Sequence, residues 1–193
     1  IYVQFFTEDI GPFDWQLPPN KYDLVEIGWN VPNETYEDLE RVCADETREY
    51  IERNVKWLAE QDFKFIIRFG AEVNCWEDLE NYTTEQQKKQ FTDKFKEAFA
   101  TVADYVHRLA PNCAMMYSPN DISNWYYTAE DFYPGDEYVD WVGMSTYGKI
   151  SSAASEEAGS QTDAWYGRGI YENQLLRIKN IVDTFGDRKP IAV

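Results

Sequence analysis

The chain of 193 residues contains one histidine and three scattered cysteines. A single histidine excludes multi-histidine metal sites and argues against a Ser-His-Asp machine. His107 falls mid-helix, off the apolar stripe, where an exposed surface residue is expected. Cys43, Cys75 and Cys113 are isolated and have no metal-type spacing. Cys43 lies on a helix stripe and Cys113 at a strand start, which predicts buried thiols. Positive charge is also scarce, with 18 Lys plus Arg against 35 Asp plus Glu and a net charge of -17. That field repels phosphate backbones and anionic lipid, so neither nucleic acid nor a membrane surface is an expected partner. No apolar run approaches the ~20 residues of a membrane span. No signal peptide is visible, and Ile1 reads as the middle of a strand. Internal repeats and domain linkers are absent too, so residues 1–193 read as a single domain, large enough for a substantial core.

Aromatic residues, by contrast, are abundant: 7 Trp, 14 Tyr and 11 Phe. Part of this is core, but so many rings in an acidic chain also suit a carbohydrate groove. Ile1–Phe6 reads as a strand, and Asp23–Val31 as a second extended segment. Thr35-x-x-Asp38 resembles a capping box. After it Leu39, Val42 and Cys43, then Tyr50, Ile51, Val55 and Leu58, recur at helical spacing. Phe63–Phe69 is a short apolar run of the parallel-strand type, covered on both faces. Thr84-x-x-Gln87 opens the clearest helix, with the stripe Phe91, Phe95, Phe99, Val102, Val106 and Leu109, and Pro111 ends it. Cys113–Tyr117 is the next strand and Thr128-x-x-Asp131 caps a short helical turn. Tyr138–Ser145 reads as a buried strand, residues 149–168 as a long loop. The stripe Leu175, Ile178, Ile181, Val182 and Phe185 marks a last helix, and Pro190–Val193 begins a further strand. Long connections between strands suit parallel crossovers. The expected fold is α/β, a (β/α)8 TIM barrel that is incomplete in this chain, with both ends falling inside strands.

In such a barrel, groups at strand C-termini share one mouth. The segment Phe65-Ile66-Ile67-Arg68-Phe69-Gly70-Ala71-Glu72-Val73-Asn74-Cys75-Trp76 brings an arginine, a carboxylate, an amide and an indole to one strand end. Tyr117 and Asn120 follow the next strand, Ser145 and Tyr147 the one after. Carboxylate, amide and indole are what sugar chemistry uses: a proton donor, hydroxyl partners and a flat apolar platform. A carboxyl group beside Trp76 would gain proton affinity by desolvation, as a general acid requires. Arg68 and Tyr147 would orient carboxylates, and Trp125 and Trp165 are further platform candidates. Each also has a plainer reading: a loop carboxylate for Glu72, a structural ion pair for Arg68, turn residues for Asn74 and Asn120, packing for the indoles.

Four segments in order resemble glycoside hydrolase family 26, the mannanase family of the retaining (β/α)8 clan. They are Arg68-x-x-x-Glu72-Val73-Asn74-x-Trp76; Pro111-Asn112 leading to Tyr117-Ser118-Pro119-Asn120; Tyr133-Pro134-Gly135-Asp136-x-Tyr138-Val139-Asp140-Trp141-Val142-Gly143 running to Tyr147; and Lys189-Pro190-Ile191-Ala192-Val193. The resemblance covers roughly residues 60–193. It implies that Glu72 is the general acid/base, that Tyr147 hydrogen-bonds the nucleophile, and that Trp76 lines the sugar cleft. It places the nucleophilic glutamate beyond Val193. It implies a polysaccharide or oligosaccharide substrate, no cofactor, companion modules of a larger chain as possible partners, and secretion, since polymers are too large to import. Ala71 stands where the family has histidine and Cys75 where it has glycine, which leaves room for a β-glycan other than mannan. The expected activity is that of a retaining endo-β-glycanase. The alternative is a catalytically silent glycan-binding module. A third, weaker reading is a hydrolase using an oxygen-liganded Mg or Ca on Glu72, Asp121 and Asp136. The sequons Asn33-Glu34-Thr35 and Asn81-Tyr82-Thr83 are glycan acceptors only in a glycosylating source.

Overall fold

A computed structural model describes residues 1–11, 24–121, 123, 127–146 and 170–193, the last stretch with side chains from 175 onward. Its centre is a six-stranded sheet: β1 (Tyr2–Gln4), β2 (Leu24–Asn30), β3 (Lys64–Phe69), β4 (Cys113–Tyr117), β5 (Trp141–Gly143) and β6 (Ile191–Ala192). Every neighbouring pair is parallel, and the spatial order equals the sequence order. A doubly wound sheet would reverse its order at a switch point. A sheet that always advances in one direction is an arc of a barrel, here with β1 and β6 as its edges.

The crossovers carry α1 (Tyr36–Cys43), α2 (Arg48–Ala59), α3 (Glu85–Leu109) and α4 (Ile170–Phe185). The Thr84 box closes as its residues predict: Thr84 Oγ1 accepts from Gln87 N at 3.3 Å, and Gln87 Oε1 accepts from Thr84 N at 3.1 Å. The Thr35 box closes only by half. Thr35 Oγ1 accepts from Asp38 N, but the Asp38 carboxylate reaches past the cap to Asn33 N at 2.7 Å. The helical spacing between residues 36 and 59 belongs to two helices, because Ala44 is extended (ψ 146) and a 3-10 turn at Asp45–Thr47 re-aims the chain.

Strand parity divides the two faces. Val25, Ile27 and Trp29, Phe65, Ile67 and Phe69, and Met115 and Tyr117 are buried against the helices. There the stripe of α3 meets them: Phe95 packs on Phe69, Trp76, Phe99, Tyr117 and Phe132. Each such ring contributes roughly 1.5–3 kcal/mol by burial. The alternate residues turn to the concave side, and there Leu24 is exposed while Glu26 and Arg68 keep contact with solvent. The cover on both faces expected for β3 holds at its centre, where Ile66 is buried on the concave side, and gives way at Lys64 and Arg68.

The expected strand Tyr138–Ser145 shortens to Trp141–Gly143. Asp140 explains the late start. Its backbone N–H donates to Met115 O at 2.9 Å, and its side chain accepts from Met115 N at 2.7 Å, so a carboxylate replaces one rung of the ladder. Past the strand, Ser145 pairs with Asn120 as an isolated bridge. His107 is exposed on α3, as expected, and its Nε2 lies 2.9 Å from Asp140 Oδ2. Cys43 and Cys113 are only partly buried, where full burial was expected. Desolvation still pushes their thiols up, to about 11 and about 12.

Candidate active site

β3 ends in Phe69, and the next residues turn sharply. Gly70 has φ 57, and a Cβ there would meet the Phe95 ring at 2.8 Å, so both conformation and packing require glycine. Glu72 also has φ 59, a left-handed conformation that costs a non-glycine residue about 1–2 kcal/mol. Its surroundings hold it there. Glu72 N donates to Ser118 O at 2.8 Å, Cys75 N donates to Glu72 O at 2.8 Å, and Ala71 N donates to the buried Asn30 Oδ1 at 3.2 Å. Strain kept in place by the neighbouring strands is typical of functional positions.

The turn leaves the Glu72 carboxylate in a cavity of about 340 Å³ at the strand C-termini, lined by Asn30, Glu34, Arg68, Glu72, Cys75 and Trp76 among others. Glu72 Oε2 accepts from Asn120 Nδ2 at 2.9 Å, and Oε1 lies 3.6 Å from an Arg68 guanidinium nitrogen. The carboxylate remains 27% exposed, within reach of a ligand. Arg68 spans the mouth. Its Nε donates to Ser118 Oγ at 2.8 Å, a terminal nitrogen donates to Ser145 Oγ, and another sits 3.9 Å from Glu26. Arg68 thus orients Glu72 from a frame shared by three further strands. A second cavity, about 280 Å³, lies beyond it, lined by Glu26, Arg68, Ser118, Ser145, Thr146 and Val193 among others.

Of the residues expected at the site, Glu72, Arg68 and Asn120 meet directly. Asn74 is fully buried and serves the scaffold: its Nδ2 donates to Asn120 O at 2.9 Å and Ser123 Oγ at 2.8 Å, and its Oδ1 accepts from Asn120 N at 2.8 Å. Through Asn74 the β3 loop holds the β4 loop that presents Asn120. Trp76 borders the cavity but is 2% exposed, with its Nε1–H on Ala71 O and its ring edge-on to Phe91 and Phe95. It is a wall of the core and not an open platform, because the turn at Glu72 folds the indole back under Gly70. Tyr117 points to the helices, its hydroxyl donating to Ala129 O, and burial raises its phenol well above the usual range. Tyr147, Trp125 and Trp165 lie outside the described residues.

The oxygen-only metal trio does not assemble. Glu72 and Asp121 follow strand C-termini, whereas Asp136 precedes β5 and bonds Tyr133 and Arg188 at the other end of the sheet. Asp121 is itself engaged, accepting from Thr146 Oγ1 and Arg177 at 2.9 Å each. Among the described residues no three such side chains converge on a metal position.

Sequence reasoning missed three contributors: Asn30 and Glu26 on β2, and Glu34 just after it. A polar Asn30 closing the otherwise apolar DLVEIGWN was the available signal. Glu34 is half-buried, with φ 54, and its carboxyl is raised by desolvation first, then by the charges of Glu72 and Glu77. Cys75 reports the same negative field. Although Cys75 is exposed, desolvation by the surrounding loops, then the charges of Glu72 and Asp121, push its thiol up to about 12, which disfavours the thiolate near neutrality.

A one-directional parallel arc whose polar side chains gather at the strand C-termini is the architecture of (β/α) barrels. The sequence profile of glycosyl hydrolase family 26 matches residues 30–166, and the chain belongs to that family. Solved structures show the same fold. A Bacillus subtilis mannanase shares 19% identity at a TM-score of 0.51, with 86% of this chain and 58% of that chain covered. A family 26 β-mannanase from Bacteroides ovatus gives 16% identity and a TM-score of 0.57, over 88% and 50% of the two chains. A family 26 protein of a Muricauda species gives 18% identity and 0.53, over 88% and 56%. No curated protein matches the chain. The chain spans a little over half the length of the solved structures it resembles, and its fold is an incomplete TIM barrel.

Proposed function

We propose that this chain carries the general acid/base part of a retaining endo-β-glycanase acting on β-1,4-mannan or a related β-glycan. The observation that carries the reading is the Glu72 carboxylate, oriented by Asn120 and Arg68 in an open cavity at the mouth. The resemblance of the segment Arg68 to Trp76 to the family's acid/base segment supports this role. Glu72 protonates the departing glycosidic oxygen as the bond to the anomeric carbon breaks and the nucleophile bonds that carbon. Glu72 then removes a proton from the water that releases the sugar. The nucleophile is expected beyond Val193, at the carboxyl end of β6, where the strand opens on the second cavity. Retention requires the two carboxyl groups about 5–5.5 Å apart.

Secretion follows from the size of a polymeric substrate, and further modules of the parent chain are proposed partners. Ala71 supports a second reading, a glycan-binding module without turnover, because the family uses a histidine there. Glu72→Gln in the full-length protein separates the two. The enzyme reading expects a loss of about three orders of magnitude or more on an oligosaccharide and far less on an activated aryl glycoside, whose leaving group needs no proton. Equal rates for variant and parent remove the role of Glu72. Saturable oligosaccharide binding with no reducing ends released by the parent supports the binding module.

A further inference from the structure

The cavity that holds Glu72 also holds a buried amide whose donor is unused. Asn30 ends β2 with the parity of Gly28 and Glu26, which turns its side chain to the concave face and into the lining of this cavity. The residue is 8% exposed, and its Oδ1 accepts from Ala71 N at 3.2 Å. That contact fixes the orientation of the amide, since the reverse would set a donor against a donor. Asn30 Nδ2 is left without an acceptor among the described residues, a state in which few buried donors of a folded chain are found. Glu34 lines the same cavity, and among the described residues no group donates to its carboxylate. It does not hang on a loose loop. Asn33 N is held by Asp38 at 2.7 Å, Tyr36 N by Asp78 at 2.8 Å, and Thr35 caps α1. Among the described residues three non-glycine residues take left-handed backbone, Phe6, Glu34 and Glu72, and two of them bring carboxylates to this one cavity.

The third element is Tyr2. β1 pairs it with Gly28, and its ring lies over that glycine, with Cδ2 3.6 Å from the place a Cβ would take. Val3 beside it is fully buried on the helix side, whereas Tyr2 is 63% exposed and lines the cavity. An exposed ring, an unused N–H and an unused carboxylate around about 340 Å³ suit a neutral ring rich in hydroxyls. Glu34 and Glu72 oppose an anionic ligand, and Arg68 opposes a cation. We propose that Tyr2, Asn30 and Glu34 form a subsite for one pyranose ring of the glycan. The face of Tyr2 takes the apolar C–H face of the sugar, Asn30 Nδ2–H donates to one hydroxyl oxygen, and Glu34 accepts from a second hydroxyl. Tyr2 thereby supplies the aromatic platform that Trp76, turned into the core, does not. The inference rests on the glycan reading of the cavity and holds with or without turnover.

Titration calorimetry with β-1,4-mannotetraose and with cellotetraose tests the subsite, in the full-length protein carrying Glu72→Gln so that the sugar is not consumed. In that background Tyr2→Ala is expected to weaken the Kd of the better-bound sugar about tenfold, and Tyr2→Phe, which keeps the ring, by less than about threefold. Glu34→Ala is expected to lose about tenfold as well, by removing an acceptor from a bound hydroxyl. The side-chain ¹⁵N–¹H signals of Asn30, assigned by their absence in Asn30→Asp, should shift when the protein is saturated with the sugar. An affinity within about twofold of the background in either Tyr2→Ala or Glu34→Ala would overturn the subsite while leaving the glycan reading in place. Unmoved Asn30 signals in the saturated protein would do the same. Binding of neither tetrasaccharide would remove the glycan reading and the subsite with it, so the two failures are distinguishable.

Discussion

The two ends of the sheet are built on opposite rules. At the strand C-termini, Glu34, Gly70 and Glu72 take left-handed backbone, and carboxylates, an arginine and amides crowd into open cavities. At the N-terminal end the hollow between strands is lined by Leu24, Phe65, Ile66, Pro111, Cys113 and Trp141. Lys64 and Asn112 are polar residues of that lining, and Asn112 is a staple: its Nδ2 donates to the carbonyls of Leu58, Gln61 and Phe63 at 2.9, 3.3 and 2.9 Å, closing α2 onto β3. One end keeps strain and charge that burial and hydrogen bonding elsewhere must offset, and the other supplies part of that offset. In a barrel this asymmetry separates function from stability.

Single substitutions probe the two ends separately. The largest expected effect is at the mouth, where Glu72→Gln should abolish most turnover while leaving Tm within about 2 °C, since it removes no packing. Calorimetry beside the rate assay checks both halves. At the other end, Asn112→Ala should cost ~2–3 kcal/mol in denaturant unfolding by leaving carbonyls unpaired. Its kcat/KM at a permissive temperature should stay within about twofold, as stability-face residues do; a hundredfold loss would contradict the division. Asn74→Ala tests the tie between the regions. It should lower stability by ~2 kcal/mol and, by freeing Asn120 from its place on Glu72, slow turnover about ten- to a hundredfold. Trp76→Phe should lower stability by ~1–3 kcal/mol while oligosaccharide affinity by calorimetry is unchanged; lost affinity would restore the indole as a sugar platform. The smallest effect is Glu34→Gln. A carboxyl raised in the folded state stabilises below its unfolded value, near 4.5, and loses that contribution as pH rises through the folded pKa. The variant should therefore raise Tm by ~1–2 °C at pH 7 and leave it unchanged at pH 4.

What could be read in advance depended on how local its cause is. Helix α3 was legible because the Thr84–Gln87 box and a phenylalanine stripe lie within one segment. The parallel order followed from the lengths of the connections. Glu72 was legible because a buried strand running straight into Arg68 and a carboxylate is unusual in one stretch of chain. Glu34 and Asn30 were not, because they reach the cavity from β2 only through the register that sets Gly28 beside Arg68. Trp76 misled for the converse reason. Four residues from Glu72 in sequence, it is turned into the core by a left-handed residue that no periodicity announces. Asn74 was identified as important but assigned to the ligand, whereas its amide is spent on the neighbouring loop.

The central claim is that Glu72 is the acid/base of a double-displacement glycosidase. It is tested most directly by Glu72→Ala in the full-length protein, assayed on an activated aryl β-glycoside with and without sodium azide. Azide needs no general base to attack the glycosyl-enzyme. The account predicts a slow variant whose rate azide restores by about tenfold or more, yielding a glycosyl azide of retained anomeric configuration. No rescue, or an azide product of inverted configuration, would contradict it.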